Sequence, residues 1–260
     1  MSQNQSSPLN PPPHLSPSSL ATFEQCPLKF KYSKIDLIPD KSGIEAVMGN
    51  FVHDVLESLY KLQPQDRTKA SARNLARDVF YEKYDVLVSN LLHTEAAVKK
   101  LRWQAWFCID NLWKVEDPTT IRPLGLESEL NHRLGGVVLK GFIDRFTDSN
   151  NDGLIISDYK TGKTPRKEWL SDKFEQLRIY AAIMQETQIW PVSTLELIYL
   201  KDGVKFSEKV TSKALDETVV RIQNIKLSID ERCTTGLFEA QKSRLCDWCS
   251  YKRICPEWNK

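Results

Sequence analysis

Two stretches of the chain determine the expected fold: Leu139-Lys140-Gly141-Phe142-Ile143-Asp144-Arg145 and Leu154-Ile155-Ile156-Ser157-Asp158-Tyr159-Lys160-Thr161-Gly162. Both have the residue pattern of strands. The segment between them, 148–153, consists of turn-forming residues. We therefore expect the two stretches to form an antiparallel hairpin.

Three charged side chains are expected to converge on this hairpin. Side chains alternate faces along a strand, so Asp158 and Lys160 should share one face, roughly 7 Å apart. Asp144 should lie opposite or next to Asp158, at a Cβ separation of roughly 5 Å. Two carboxylates at that distance repel each other unless a cation lies between them. Mg²⁺ fits, because it takes one or two carboxylates together with waters and phosphate oxygens.

A solvated hairpin with ordinary polar residues is the simpler interpretation of this pattern. The apolar run 154–156 directly precedes Asp158, however. Buried strands do not normally end in inward-facing charges without a use for them. Lys160 would then stand beside the metal and orient a water or neutralise charge on phosphorus.

The segments 141–145 and 158–162 resemble the motifs of the PD-(D/E)XK nuclease superfamily, and more closely those of its RecB-like branch. The resemblance implies an α/β, restriction-endonuclease-like fold with a mixed central sheet flanked by helices. It also implies that Asp144 and Asp158 bind Mg²⁺ or Mn²⁺ and that Lys160 is the catalytic lysine.

Segment 49–60 has the pattern of a helix with one buried face, formed by Val52, Val55, Leu56 and Leu59. His53 falls at the rim of that face, where a half-exposed structural histidine is the simpler interpretation. The spacing from Gly49 through His53 to Glu57 resembles the first motif of the same nucleases. The resemblance implies that His53 is a metal ligand as a neutral imidazole.

A second helix is predicted over 174–184, with Gln176 and Tyr180 on one face. A mixed polar boundary is the simpler interpretation of this pair. The Gln-x-x-x-Tyr spacing is similar to the element that follows the lysine strand in RecB-like nucleases. This similarity implies that Gln176 and Tyr180 lie beside the active site and DNA.

Two glutamates, Glu127 and Glu129, precede the hairpin. Strand alternation places both on the same face. The family often has a glutamate here, but the sequence does not determine which of the two corresponds to it. A salt-bridging role is an equal alternative.

Four of the six cysteines have the spacing of a metal or cluster site. Cys246 and Cys249 form a C-x2-C pair, Cys255 follows after five residues, and Cys26 is the candidate fourth thiolate. We expect a reducing cytoplasm, since the first fifteen residues lack the features of a signal peptide and no stretch reaches the ~18 apolar residues of a membrane span. Such a compartment favours ligation over disulfides, and the spacing leaves both zinc and an iron-sulfur cluster open.

One cysteine before the nuclease motifs and a C-x2-C-x5-C set after them resemble the iron-sulfur staple of AddB-type nucleases and CRISPR-associated exonucleases. The resemblance implies a [4Fe-4S] cluster that joins the N- and C-terminal segments through Cys26, Cys246, Cys249 and Cys255. Because such a link restricts the unfolded chain, we expect a structural role. Cys108 and Cys233 are expected to be buried or spare thiols.

The length of 260 residues and the hydrophobic content of 41% predict one globular domain with a helical insertion. We expect a disordered tail over 1–15 and a nuclease domain over 16–260. The helical insertion should cover about 66–116 and the iron-sulfur segment about 240–258. A net charge of +2 means that any DNA-binding surface must be local.

Two local surfaces are candidates for DNA contact. The basic stretch 160–167 directly follows the expected active site. In the helical insertion, cationic and aromatic residues that suit phosphate contact and base stacking alternate: Lys99, Lys100, Arg102, Trp103, Trp106 and Trp113. Solvated charges and core aromatics are the simpler interpretation of the second set.

The leading hypothesis is a Mg²⁺- or Mn²⁺-dependent DNA nuclease, an exonuclease on single-stranded or end-containing DNA that serves repair, recombination or related processing. The products would be 5′-phosphate ends. Its expected partner is DNA. The resemblance adds a helicase or CRISPR adaptation proteins as partners, and no contact with a membrane is expected. The alternative is a non-catalytic DNA-binding module, with iron-sulfur or four-cysteine zinc, of a larger nuclease-helicase complex.

Overall fold

The computed structural model describes residues 8–40, 43–149, 152–187 and 191–258. Within these residues the chain forms two compact units. The terminal unit comprises segments within 1–41, 130–141 and 212–260, and the central unit comprises segments within 42–129 and 142–211. In the part of the chain so described, no helix is long and apolar enough to cross a bilayer.

The secondary structure follows the predicted order of helices, hairpin and helices. The helices are α1 Pro17–Gln25, α2 Pro27–Phe30, α3 Ile44–Lys61, α4 Lys69–Val79, α5 Asp85–Leu92, α6 Glu95–Val115, α7 Leu170–Lys173, α8 Glu175–Glu186 and α9 Ser212–Thr235. The strands are β1 Pro123–Leu134, β2 Val137–Asp148, β3 Leu154–Lys160, β4 Val192–Tyr199 and β5 Val204–Lys209. Short π-helical turns cover Lys31–Ile35 and Phe80–Tyr84, and short 3₁₀ turns cover Pro64–Asp66, Lys167–Trp169, Arg244–Trp248 and Lys252–Ile254.

The strands form one mixed sheet in the order β1-β2-β3-β4-β5. β2 and β3 pair antiparallel, as predicted. β3 and β4 pair parallel, and β4 and β5 pair antiparallel. Because α8 packs on β3 and β4 while α6 packs on β5, helices flank the sheet of the central unit. The predicted mixed α/β class is confirmed.

The core of the central unit is built on α3. Its buried residues recur at helical spacing, as the sequence predicts, and include Val52, Val55, Leu56 and Leu59. This face packs against α4 and α6. The inner face of α6 is likewise buried at Leu101, Ala105, Ile109 and Leu112. The helical insertion therefore belongs to the same core as α3.

The terminal unit begins earlier than the sequence predicts. α1 starts directly after Ser16, whose side chain caps the helix by accepting a hydrogen bond from Ser19 N. The tail was expected to be disordered over 1–15, but Leu15 is buried and its main chain pairs with Leu139. Leu9 N also donates to Cys233 O at 2.9 Å. Residues 1–7 lie outside the described part, so the prediction still stands untested for them.

A buried ion pair lies on the reverse side of the hairpin. Arg145 is only 1% exposed, and its guanidinium donates to both oxygens of Glu116 at 2.5 and 2.9 Å and to Ser157 Oγ at 3.2 Å. The same guanidinium lies over the rings of Tyr60 and Tyr159, at 4.9 and 5.4 Å from their centroids. Because side chains alternate, this network fixes the hairpin from the face opposite Asp144 and Asp158.

Replacing Arg145 tests the contribution of this pair. Arg145→Met leaves a buried carboxylate unpaired, so the free energy of unfolding in a guanidinium titration should fall by about 3–5 kcal/mol. The double variant Arg145→Met with Glu116→Leu should recover part of the loss. The control is Lys213→Met, which removes the exposed Lys213–Glu217 pair and should change stability by less than about 0.5 kcal/mol. Equal losses in Arg145→Met and the control would contradict the assignment.

Candidate active site

The candidate site forms where β2 and β3 stop pairing. The β2–β3 ladder runs to the pair Arg145–Ser157. Beyond it, the Tyr159 main chain bonds to side chains instead: its N–H donates to Asp144 Oδ2 at 2.8 Å, and its carbonyl oxygen lies 2.9 Å from His53 Nε2. Buried backbone N–H and C=O groups need hydrogen-bond partners. Where β2 no longer provides them, the side chains of Asp144 and His53 serve as partners for Tyr159.

The contact with Tyr159 decides the orientation of the His53 ring. A carbonyl oxygen only accepts hydrogen bonds, so Nε2 must carry the proton. Nδ1 then faces two carboxylates, at 3.5 Å from Asp144 Oδ2 and 3.6 Å from Glu127 Oε1. Metal-binding histidines use the same arrangement, with one nitrogen held by a backbone carbonyl and the other turned to the ion.

Asp158 and Lys160 share a face of β3, as the alternation predicts. Lys160 Nζ lies 2.6 Å from Asp158 Oδ2. On α8, Gln176 Nε2 donates to Asp158 Oδ1 at 3.2 Å and lies 3.3 Å from Tyr180 Oη. Gln176 and Tyr180 thus share a face, and the helix places that face against the acidic strand end.

The buried carboxylates shift the pKa values of their neighbours. Burial, followed by the charge of Asp158, raises the pKa of Asp144 to about 7. Burial lowers the pKa of His53, but the hydrogen bond with Glu127 and the charges of Asp144 and Asp158 outweigh it and raise the pKa to about 9. Burial also lowers the pKa of Lys160, yet Asp158 raises it above the usual value. The site therefore attracts positive charge, and Lys160 stays an ammonium.

The structure separates the two glutamates that the sequence could not rank. Glu127 has a positive φ of 42°, which interrupts the regular alternation of β1. Its carboxylate turns to His53, whereas Glu129 is exposed. Strand alternation predicted that both side chains lie on one face of β1. The left-handed backbone of Glu127 is the reason why the two side chains differ in direction. A non-glycine residue in this conformation is strained, and such strain is often found at functional sites.

Three ligand atoms suited to a hard or borderline metal ion lie together. One nitrogen or oxygen each from His53, Glu127 and Asp144 lies within 4.8 Å of the others. The sequence predicted His53, Asp144 and Asp158 as the metal ligands. In the structure Glu127 lies together with His53 and Asp144, and Asp158 lies beside these three side chains and pairs with Lys160. An imidazole with carboxylates fits a divalent cation, whose charge would offset the repulsion that raises the pKa of Asp144.

The four predicted cysteine ligands lie in the terminal unit. Cys26, Cys246, Cys249 and Cys255 line one common cavity. Gln241 N donates to Cys26 Sγ and Ser243 N donates to Cys246 Sγ, both at 3.4 Å. The two remaining cysteines, Cys108 in α6 and Cys233 in α9, are buried, as predicted.

Comparison with known proteins agrees with this geometry. The sequence profile of the PD-(D/E)XK nuclease superfamily matches residues 14–256. The chain belongs to this superfamily. Its relatives include the "Gene 69 protein" of Mycobacterium phage L5, which is 25% identical over 292 residues that cover 94% of this chain and 96% of the phage protein.

A solved structure shares the PD-(D/E)XK fold of the chain. The crystal structure named "Putative exonuclease" from Eubacterium rectale superposes with a TM-score of 0.56 and 15% sequence identity. The match covers 92% of this chain and 88% of that one. At this identity the likeness concerns the fold alone. It supports the restriction-endonuclease-like architecture expected from the hairpin.

The distinction between the two glutamates gives a test of metal binding without DNA. In calorimetric titrations with Mn²⁺, Glu127→Gln should weaken binding at least about tenfold, because a charged carboxylate ligand becomes a neutral amide. Glu129→Gln is the matched control and should bind like wild type. Since Asp144 and His53 must both release protons to bind an ion, affinity should rise between about pH 6 and pH 9, with proton release. Equal effects of the two substitutions would contradict the assignment.

Proposed function

We propose that this PD-(D/E)XK protein is a Mg²⁺- or Mn²⁺-dependent deoxyribonuclease that hydrolyses phosphodiester bonds. The observation that carries the proposal is the meeting of four groups at the open end of the β2–β3 ladder. His53 Nδ1 and the Asp144 carboxylate lie 3.5 Å apart, and Asp158 pairs with Lys160 at 2.6 Å. All four belong to the central unit.

The proposed ligands of the divalent cation are His53, Glu127 and Asp144, together with Asp158, which also pairs with Lys160. When bound, the cation supplies Lewis-acid charge to a phosphate oxygen and lowers the pKa of a nearby water. The main chain of Tyr159 fixes the side chains of His53 and Asp144 in place through hydrogen bonds. Ligands held in advance avoid the cost of ordering them during catalysis.

Lys160 is proposed as the residue that acts on the reacting phosphate. Its raised pKa keeps it protonated, so it donates hydrogen bonds and positive charge and does not act as a base. Gln176 holds the other oxygen of Asp158 and so orients the carboxylate between α8 and the lysine. Tyr180 lies behind Gln176, and burial raises the pKa of its hydroxyl to about 12, so it also stays protonated.

The proposed reaction breaks the bond between phosphorus and the 3′ oxygen. A water oxygen attacks phosphorus, the proton leaves to solvent, and the 3′ oxygen departs and takes up a proton. The products are a 5′-phosphate and a 3′-hydroxyl. The name of the Eubacterium rectale protein and the resemblance to the RecB-like branch favour action on DNA ends or single strands. We therefore propose exonuclease action in DNA repair, recombination or related processing.

Cleavage of end-labelled oligonucleotides tests this function. Wild-type protein purified without oxygen should degrade 5′- and 3′-labelled DNA with Mn²⁺ and not with EDTA. Asp158→Ala and Lys160→Gln should each lower the rate at least about a hundredfold, because the first removes a proposed metal ligand and the second removes a positive charge at the reacting phosphate. Lys213→Gln, on the exposed face of α9, is the charge-matched control and should cleave like wild type. Intact DNA with wild type and Asp158→Ala alike would end the proposal.

We also propose a [4Fe-4S] cluster on Cys26, Cys246, Cys249 and Cys255, as in RecB-like nucleases of the AddB type. The shared cavity and the main-chain N–H groups directed at two of the sulfurs support it, since such hydrogen bonds are common around cluster thiolates. The same terminal unit is held by contacts between its ends: Leu28 N donates to Glu239 O, and Tyr251 Oη donates to Ile38 O. The proposed role is structural.

Optical spectra test the cluster. Protein purified without oxygen should be brown, with broad visible absorbance and equal amounts of iron and acid-labile sulfide. Cys249→Ala should lose the colour and lower the thermal midpoint, because the link between the chain ends is broken. Cys233→Ala, at a buried cysteine outside the set, is the control and should stay brown. A colourless wild-type protein with one bound zinc would contradict the proposal.

The non-catalytic alternative predicts a site that lacks one of its reactive groups. Asp144, Asp158 and Lys160 are all present, and the last two are in contact. We therefore favour an active enzyme. A helicase or CRISPR adaptation proteins stay proposed partners on the family resemblance.

A further inference from the structure

The outer face of α6 carries large aromatic side chains in contact with solvent. Trp103 is 61% exposed and Phe107 is 54% exposed. The two lie four residues apart and so share one face, about 6 Å apart along the axis. The sequence suggested core aromatics for this stretch, but the inner face of α6 is already filled by other apolar residues. Two exposed rings on one line require another explanation.

Cations alternate with these rings along the same face. Lys99 and Lys100 lie one turn before Trp103, and Lys114 lies two turns after Phe107, all three exposed. Lys114 Nζ lies 5.6 Å from the centroid of the Phe107 ring. We call the line formed by Lys99, Lys100, Trp103, Phe107 and Lys114 the α6 strip.

The α6 strip is fixed to the turn that follows β4. The Asn111 side chain donates to the carbonyl oxygens of Leu200 and Lys201, at 2.9 and 3.2 Å. Lys114 crosses the same turn, since a Cβ added to Gly203 would lie 3.2 Å from Lys114 Cδ. The end of the strip therefore has a defined place at residues 200–203.

The same turn is fixed to the chain that leaves the candidate active site. Leu200 N donates to the carbonyl oxygen of Lys160 at 2.9 Å. Asp202 accepts hydrogen bonds from the main chain and the hydroxyl of Thr164, at 2.7 and 2.6 Å. These bonds lower the pKa of Asp202, and the nearby ammonium groups of Lys163 and Lys201 lower it further. Lys163 and Lys201 thus both lie near Asp202, in the turn and the loop that connect the strip to Lys160.

A further aromatic residue with a cation above it follows in the same loop. Trp169 is 56% exposed, and the Arg166 guanidinium lies 5.7 Å from its ring centroid. Phe107 and Trp169 are thus both exposed rings with a cation above them. Phosphates and bases of a nucleic acid strand alternate in the same way.

We propose that the α6 strip, with Lys201 and Lys163, is a binding track for single-stranded DNA that leads to Lys160. The track rests on the nuclease function proposed above and specifies the form of DNA that the site receives. Rings stack on unpaired bases while the interleaved lysines contact the backbone. A duplex offers the lysines its phosphates but keeps its base faces stacked, so the rings would gain nothing from it.

The charge of the surface favours this strand over an apolar protein partner. The α6 strip and the adjoining turn hold five lysines and two rings: Lys99, Lys100, Lys114, Lys163, Lys201, Trp103 and Phe107. Asp110, which falls on the same face, already pairs with Lys69 at 2.8 Å. Protein-binding surfaces are instead depleted in lysine at their centre. A polyanion with exposed ring faces complements the strip.

Equilibrium binding in EDTA tests the track without any need for cleavage. The probes are a fluorescein-labelled oligothymidylate of about 20 nucleotides and a duplex of equal length, both followed by anisotropy. Trp103→Leu with Phe107→Leu keeps apolar bulk but removes the rings, and should weaken oligothymidylate binding about 25-fold or more, with less than about a twofold change for the duplex. Trp103→Phe should retain most of the affinity, and Leu227→Ala, an exposed apolar residue of α9, is the control.

The lysines are tested by salt dependence. Lys163→Gln with Lys201→Gln should reduce the slope of log affinity against log salt for the oligothymidylate by about 1.4, or about 0.7 for each phosphate that a lysine no longer neutralises. Lys213→Gln should leave the slope unchanged.

Three results would overturn the track: unchanged oligothymidylate affinity in the ring variant, an equal loss of affinity for single-stranded and duplex DNA, or wild-type dimers that dissociate in the ring variant. The last would assign the face to self-association. Failure of the nuclease function is distinct, because it leaves wild-type binding intact and shows no cleavage with Mn²⁺.

Discussion

The main chain of Tyr159 is the constraint on which the rest of the site depends. Its N–H holds Asp144 and its carbonyl oxygen holds His53, at the point where β3 leaves its pairing with β2. One residue thereby fixes two side chains from elements that are distant in sequence. The same contacts decide which ring nitrogen of His53 is free, and so turn Nδ1 toward the carboxylates. The chemistry of the site follows from the way a strand pair ends.

The two faces of β3 have different roles, since one contributes to stability and the other carries the charged groups of the site. The reverse face is occupied by Ser157 and Tyr159, which the buried Arg145–Glu116 pair holds in place. The forward face carries Asp158 and Lys160, and the Asp158 carboxylate helps to raise the pKa values of His53 and Asp144. The proposed cation would offset the charge of the carboxylates, and a DNA phosphate would accept hydrogen bonds from Lys160.

Local rules were enough to predict much of the fold and part of the site. The hairpin, the shared face of Asp158 and Lys160, and the Gln176–Tyr180 pair follow from the periods of strand and helix. Glu127 was not distinguished from Glu129, because the positive φ that turns it inward leaves no mark in the composition. The Arg145–Glu116 pair and the exposure of Trp103 were missed since both depend on which distant elements cover a residue.

A crystal structure of the protein with Mn²⁺, with its anomalous signal, tests the central claim most directly. The account predicts one strong peak bonded to His53 Nδ1, with carboxylate oxygens of Asp144 and Glu127 around it and His53 Nε2 still bonded to the carbonyl oxygen of Tyr159. A histidine ring turned so that Nε2 meets the ion, or a metal peak away from these side chains, would contradict it.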